Sequence, residues 1–232
     1  MNSIKTVIFD LDDTLFDTWG QLVGPATREF CQAMVEAGLN TDVNSAINAK
    51  DALFKADPRR NYFAALVETF GKRSECFLSD EELEQVGRRA YLQRKVEDWI
   101  TPFEATIPTL TYLRTRYQLF LVTSGSPDTQ EQKIRFLGIH SYFANVFFVD
   151  SAKGETKQGA FASILAQSAS SPQSVISVGD RVDREIKVAN RMGMWSCHIQ
   201  RGEFAHLQPS QDDEHPHYRI ECISQLIGTW KL

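Results

Sequence analysis

The 232-residue sequence predicts an α/β fold: a three-layer sandwich around a parallel sheet, with an all-helical domain inserted after the first strand. Short apolar runs rich in β-branched residues recur along the chain. Helix-period segments alternate with the later runs, which is the pattern of a parallel sheet covered on both sides. The alternation stops between residues 18 and 100, where only helical periodicity is present.

The apolar runs fall at Thr6–Phe9, 119–122, 146–149, 175–178 and around Trp195–Ile199. They are too short for helices and read as strands buried on both faces. Helical segments are expected at 103–116, 127–137, 158–167 and 184–192. Several are punctuated, by Ser126 then Pro127 at a start and by Gly138 or Gly193 just past an end.

In the inserted stretch, Leu22, Ala26, Phe30 and Met34 recur at helical spacing and stop at Gly38. Asp57 and Pro58 read as the opening of a second helix carrying Phe63, Leu66, Val67 and Phe70, which ends before Gly71. A third starts at Ser79-Asp80-Glu81-Glu82, which has the form of a capping box, and continues through Leu83, Val86 and Ala90. An insertion of about 80 residues is too long to be a loop. The expected division is a core of residues 1–17 and 101–232 with a helical domain of residues 18–100. Both ends of the insertion lie beside the end of the first strand, so it is expected to act as a lid there. The segment 201–218 is polar and reads as a loop, with His215 and His217 solvated rather than a metal pair, because Pro216 separates them and no thiol is near. Residues 220–230 read as a closing helix.

Formal net charge is −5, with acidic and basic residues mixed and no Lys/Arg block, so neither nucleic acid nor an anionic membrane is an expected partner. No apolar run approaches a bilayer span, and the first strand leaves no room for a signal sequence, which makes the cytoplasm the expected location. Cys31, Cys76, Cys197 and Cys222 share no pairing pattern and read as ordinary thiols.

Chemistry concentrates at the ends of the strands. Asp10, Asp12 and Asp13 follow the first run directly, where ligands of an open parallel sheet bind. Carboxylates this close repel and require a cation, and hard oxygen ligands suit Mg²⁺. The second strand ends in Thr123, Ser124 and Gly125 before a helix start, offering hydroxyls and amides to an anion. Lys153 and Lys157 flank the start of the next helix, where the dipole disfavours a cation, so one of them is expected to bind phosphate. The fourth strand ends at Asp180, followed by Asp183 and Glu185.

In this order, DLDDTLFD, VTSGS, a Lys before a helix, and VGDRVDREIKVANRMGM resemble the four signature motifs of the haloacid dehalogenase-like hydrolase superfamily. The likeness covers nearly the whole chain and implies a Rossmann-like core with a C1-type helical cap. It implies that Asp10 is the nucleophile that takes a phosphoryl group, and that Asp12 is the general acid/base. It further implies that Thr123, with Ser124 and Gly125, holds phosphoryl oxygens, and that Lys157, four positions before Phe161, pairs with nucleophile and phosphate. Mg²⁺ would be held by Asp10, by Asp12 through its backbone carbonyl, and by Asp180, with Glu185 standing where the family often has Asp. Arg59 and Arg60 could contact an anionic substrate, although a solvated helix face is the preferred account of them. Trp19 or Trp99 could stack on a ring, although hinge packing explains both.

Asp12 separates the activities within the superfamily, because haloalkanoate dehalogenases lack an acid there: halide needs no protonation. The implied activity is Mg²⁺-dependent hydrolysis of a small phosphorylated metabolite through an aspartyl-phosphate. A phosphomutase using the same core residues and a non-catalytic sensor with a vestigial site are the alternatives. A nucleotide-binding oxidoreductase is disfavoured, because no G-x-G-x-x-G follows the first strand and an acidic turn would repel a pyrophosphate. Oligomeric state is not legible in the sequence.

Overall fold

The computed structural model describes residues 3–57, 60–93, 96, 99–150 and 153–229. It divides into two compact units, Met1–Trp19 with Val96–Leu232, and Gly20–Lys95. The chain starts in β1 (Thr6–Phe9), all buried, and leaves for the second unit through a π-helical turn at Trp19–Val23.

That second unit packs α1 (Gly24–Ala37), α2 (Val43–Ala56), α3 (Tyr62–Phe70) and α4 (Asp80–Gln93). Its core is built on Phe30, Met34, Leu39, Phe63, Leu66 and Leu83, with the Phe30 and Phe63 rings edge-on at 5.0 Å. The Ser79 capping box forms: the Ser79 amide donates to Glu82 Oε2 at 2.7 Å, and the Glu82 amide donates back to Ser79 Oγ at 3.2 Å. α2 is an addition to the sequence reading. Asp42 caps it by accepting the Asn44 and Ser45 amides at 2.9 and 3.0 Å. Asp57 ends α2 instead of opening α3, which is capped by Asn61.

The first unit resumes with α5 (Thr106–Leu113), β2 (Gln118–Ser124), α6 (Pro127–Phe136), β3 (Asn145–Val149), α7 (Lys157–Ser168), β4 (Val175–Gly179), α8 (Lys187–Arg191), β5 (Trp195–Ile199) and β6 (Tyr218–Ile220). All neighbours pair in parallel, in the order β3-β2-β1-β4-β5-β6, so β1 lies inside the sheet between β2 and β4. Ile8, Phe120, Val122 and Val149 bury one face against Phe161 and Ile164 of α7 and Ala189 of α8. On the other side α5 and α6 bury Leu110, Leu113 and Ile134. Burial on both faces is what the unbroken apolar strands require.

Three local differences have physical causes. α5 begins later than the periodicity suggested because residues before it form the re-entry: the Phe103 amide and the Thr106 hydroxyl both donate to the Leu15 carbonyl, at 3.0 and 2.7 Å. The helix expected at 184–192 begins as a π-helical turn, Val182–Ile186, before α8. The end of the chain forms β6 and short helical turns rather than one closing helix, with Ile227 and Gly228 outside helical geometry; Trp230 lies outside the described residues. The polar segment before β6 is tied down as well. His217 Nδ1 bonds the Ser196 hydroxyl at 2.9 Å, and buried Glu214 takes the Lys187 ammonium at 2.9 Å. Among the described residues no helix is long and apolar enough to cross a membrane.

Candidate active site

The site forms at the carboxyl end of β1, where the neighbouring strands β2 and β4 also finish. Asp10 follows β1 by one residue, and its amide donates to the Val178 carbonyl of β4 at 2.9 Å, which extends the ladder into the site. Asp180 follows β4 by one residue and is buried. The imidazole of His198 on β5, also buried, bonds the Asp180 backbone carbonyl at 2.9 Å and fixes the turn.

Lys157 enters from the first turn of α7, which Thr156 caps by accepting the Gly159 amide at 3.1 Å. Its ammonium lies 2.6 Å from Asp10 Oδ1 and 2.7 Å from Glu185 Oε2. Lys153 is 67% exposed and pairs with Asp150 at 3.5 Å, so it is Lys157 that reaches the acidic turn. Glu185 sits in the π-helical turn and also accepts the Arg181 amide at 2.7 Å. π-helical turns of this sort redirect a side chain without ending the helix. Asp183 is turned to Arg181, which donates to both its oxygens at 2.8 and 2.6 Å.

Asp10, Asp180 and Glu185 therefore present buried carboxylate oxygens within 4.8 Å of one another. Burial pushes the Asp10 carboxyl up to about 7; Lys157 opposes this, while Glu185 and Asp12 add like charge. Burial likewise carries Asp180 well above the usual carboxylate range, helped by Glu185 and Asp10. Lys157 is held above its ordinary value: burial disfavours its charge, and Asp10 and Glu185 outweigh that cost. Three carboxylates facing one ammonium leave negative charge uncompensated, and an all-oxygen donor set of this kind fits a hard divalent cation such as Mg²⁺.

The Asp12 carboxylate is not part of that cluster. It points to Lys133 and Gln130 of α6 and to Thr18, which donate to it at 2.7, 3.2 and 2.8 Å. Thr123 is fully buried on β2, and its hydroxyl is among the buried polar atoms without a hydrogen-bond partner in the described residues. Ser124 and Gly125 follow it, and the Gly125 amide donates to the Val149 carbonyl at 3.1 Å. Arg59 lies outside the described residues. Arg60 stands exposed on the helical unit with its guanidinium 3.2 Å from Glu68, a surface pair.

Asp13 supports the turn in a way the sequence did not announce. It adopts a left-handed backbone with φ 52° and is buried, and its carboxylate accepts the Trp19 and Glu203 amides at 3.0 and 3.2 Å. The loop after β5 is thus anchored to the acidic turn. Lys133, Gln130, Thr18 and His198 were also missed. The one available signal was the i, i+3 spacing of Gln130 and Lys133 on the helix following Ser126.

A family model described as haloacid dehalogenase-like hydrolase matches residues 4–193. The chain is 31% identical to the glyceraldehyde 3-phosphate phosphatase of Methanopyrus kandleri, over 97% of this chain and 96% of that protein. It is 32% identical to the protein of the same name from Methanocaldococcus jannaschii, over 98% and 97%. The solved structure of the magnesium-bound HAD-hydrolase YfnB from Bacillus subtilis superposes with a TM-score of 0.68 at 18% identity, covering all of both chains. The chain belongs to the haloacid dehalogenase-like hydrolase family. Within it, the enzyme class is phosphoric monoester hydrolase.

Proposed function

We propose that this enzyme is a Mg²⁺-dependent phosphatase of a small phosphorylated metabolite, working through an aspartyl-phosphate on Asp10. The observation that carries the reading is the convergence of Asp10, Lys157, Asp180 and Glu185 at one end of the sheet. In the first step an Asp10 oxygen attacks phosphorus, and the bond to the ester oxygen breaks. That oxygen keeps the electron pair and takes a proton from Asp12. Lys157 steers Asp10 and neutralises charge on the transferring group, and the unpartnered Thr123 hydroxyl is available to a phosphoryl oxygen. Asp10 and Asp180, with Glu185 beside them, would hold Mg²⁺, which would offset the repulsion between an anionic nucleophile and an anionic substrate. The helical unit acts as a cap. Its support is that the chain leaves the core a few residues after Asp12 and returns at Phe103, bonded to Leu15.

The names of the archaeal relatives favour a triose phosphate as substrate. Free cysteines throughout suit a reducing compartment, which supports the cytoplasm as location. The test is Mg²⁺-dependent phosphate release from a panel containing glyceraldehyde 3-phosphate, glycerol phosphates, phosphoglycolate, hexose phosphates and nucleotides, against Asp10→Asn. Preference for a three-carbon phosphate, lost in the variant, is the expected result. Turnover unaffected by Asp10→Asn would overturn the reading.

A further inference from the structure

Among the described residues, each hydrogen-bond partner of the Asp12 carboxylate is a donor. The Lys133 ammonium lies 2.7 Å from Oδ1. Thr18 Oγ1 lies 2.8 Å from the same oxygen and accepts the Asp13 amide at 3.2 Å, which leaves its own proton for Asp12. Gln130 Nε2 lies 3.2 Å from Oδ2. The orientation of the Gln130 amide is fixed by a second bond from the same nitrogen to the Ser124 carbonyl at 2.8 Å, since a carbonyl can only accept. Gly125 makes room for this: a Cβ there would lie 2.7 Å from Gln130 Nε2.

Lys133 is only 7% exposed, an unusual position for a lysine, and it forms an ion pair with Asp12. It stands one helical turn after Gln130, so the two reach the same carboxylate from one face of α6. Together the three donors hold both carboxyl oxygens and so fix the orientation of the Asp12 side chain beside α6.

We infer that Lys133, seconded by Gln130, is a positioning residue that holds the Asp12 side chain where it can take the water proton in the second half of the reaction. The inference rests on the phosphatase reading above. In that half, a water oxygen attacks the phosphorus of the aspartyl-phosphate and the bond from phosphorus to the Asp10 oxygen breaks. The electron pair returns to the Asp10 carboxylate. One water proton passes to Asp12, and the other stays on the inorganic phosphate released. The proton gained by Asp12 is the one it gives to the leaving oxygen of the next substrate.

Acetyl phosphate isolates this step, because acetate leaves without a proton and formation of the phosphoenzyme does not draw on Asp12. The experiment measures kcat and the steady-state fraction of acid-quenched protein carrying one phosphoryl group, by intact mass, in wild type, Lys133→Met, Lys133→Gln and Lys133→Arg. With acetyl phosphate and Mg²⁺, Lys133→Met is expected to lose at least about tenfold in kcat while the phosphorylated fraction rises, and Lys133→Arg to restore much of both. A folded variant that slows without accumulating phosphoenzyme, or that turns over at the wild-type rate, overturns the inference. If neither Lys133→Met nor Lys133→Gln folds, Lys133 is a structural counter-charge and the inference also falls. Wild type that neither turns over nor becomes phosphorylated would remove the phosphatase reading itself.

Discussion

Lys157 is shared between Asp10 and Glu185, 2.6 Å from one carboxylate and 2.7 Å from the other, with all three side chains buried. One ammonium therefore bridges the turn after β1 that carries Asp10 and the π-helical turn that carries Glu185. Lys157→Met leaves Asp10, Glu185 and Asp180 facing one another without a counter-charge. Breaking a buried pair by deleting one partner costs about 3–5 kcal/mol. The metal-free variant should lose stability on that scale at pH 8, by denaturant unfolding, and turn over at least about 10²-fold more slowly, by phosphate release.

Asp10→Asn should abolish turnover and leave the fold intact. Because burial pushes the Asp10 carboxyl up, its charge is a burden on the metal-free protein at neutral pH. The variant should therefore melt at the same temperature as wild type or higher in EDTA at pH 8, a trade of stability for activity at a functional site. Circular dichroism melts decide it. A markedly lower melting temperature would show that Asp10 also holds the sheet edge together.

The same shift sets the pH dependence of the metal-free protein. A carboxyl raised from 3.8 to about 7 binds a proton in the folded state across a range where the unfolded chain does not. Stability then falls as pH rises from about 4 to about 7, and Asp180 acts in the same direction. A divalent cation on these carboxylates favours their charged form. Mg²⁺ is thus expected to raise the melting temperature more at pH 8 than at pH 5, measured by paired melts with Mg²⁺ or EDTA.

Gly202 combines a left-handed backbone, φ 71°, with a site where a Cβ would lie 2.1 Å from the Asp13 carboxylate. Gly202→Ala must either strain that backbone or push Asp13 from the Trp19 and Glu203 amides it accepts. A stability loss of about 1–3 kcal/mol is expected by denaturant unfolding. Asp13→Asn keeps the side chain's size and one acceptor oxygen, so it should cost less.

The strands β1, β2 and β4 were legible because each carries an apolar run, the signature of burial on both faces, and β3 and β5 through Val146–Val149 and through Trp195, Cys197 and Ile199. β6 was not, since Tyr218-Arg219-Ile220 is three residues long with an exposed arginine at its centre. α2 was hidden because its buried positions are Ala46 and Lys50, while Val43, Ile47 and Leu53 are only partly covered, and periodicity is read mainly from large apolar residues. At the site, the positions of Asp10, Lys157, Asp180 and Glu185 follow from strand ends and helix starts, which the sequence marks. Lys133 and Gln130 follow from the rotation of α6 against the acidic turn, and a lysine on a polar helix reads as solvated whichever way that helix faces. His198 and Asp13 act on backbone groups, and local sequence does not record which amide or carbonyl lies opposite.

The place of β1 within its sheet has a consequence for biosynthesis. As the chain emerges from the ribosome, the strand leading to Asp10 appears first, yet its partners Leu119–Leu121 and Val175–Val178 are translated long afterwards. The helical unit, whose core is complete within Gly20–Lys95, can form while that apolar segment waits unpaired. Nascent chains stalled before residue 175 should accordingly depend on chaperone shielding of the first ten residues, and that dependence should end once β4 has cleared the exit tunnel.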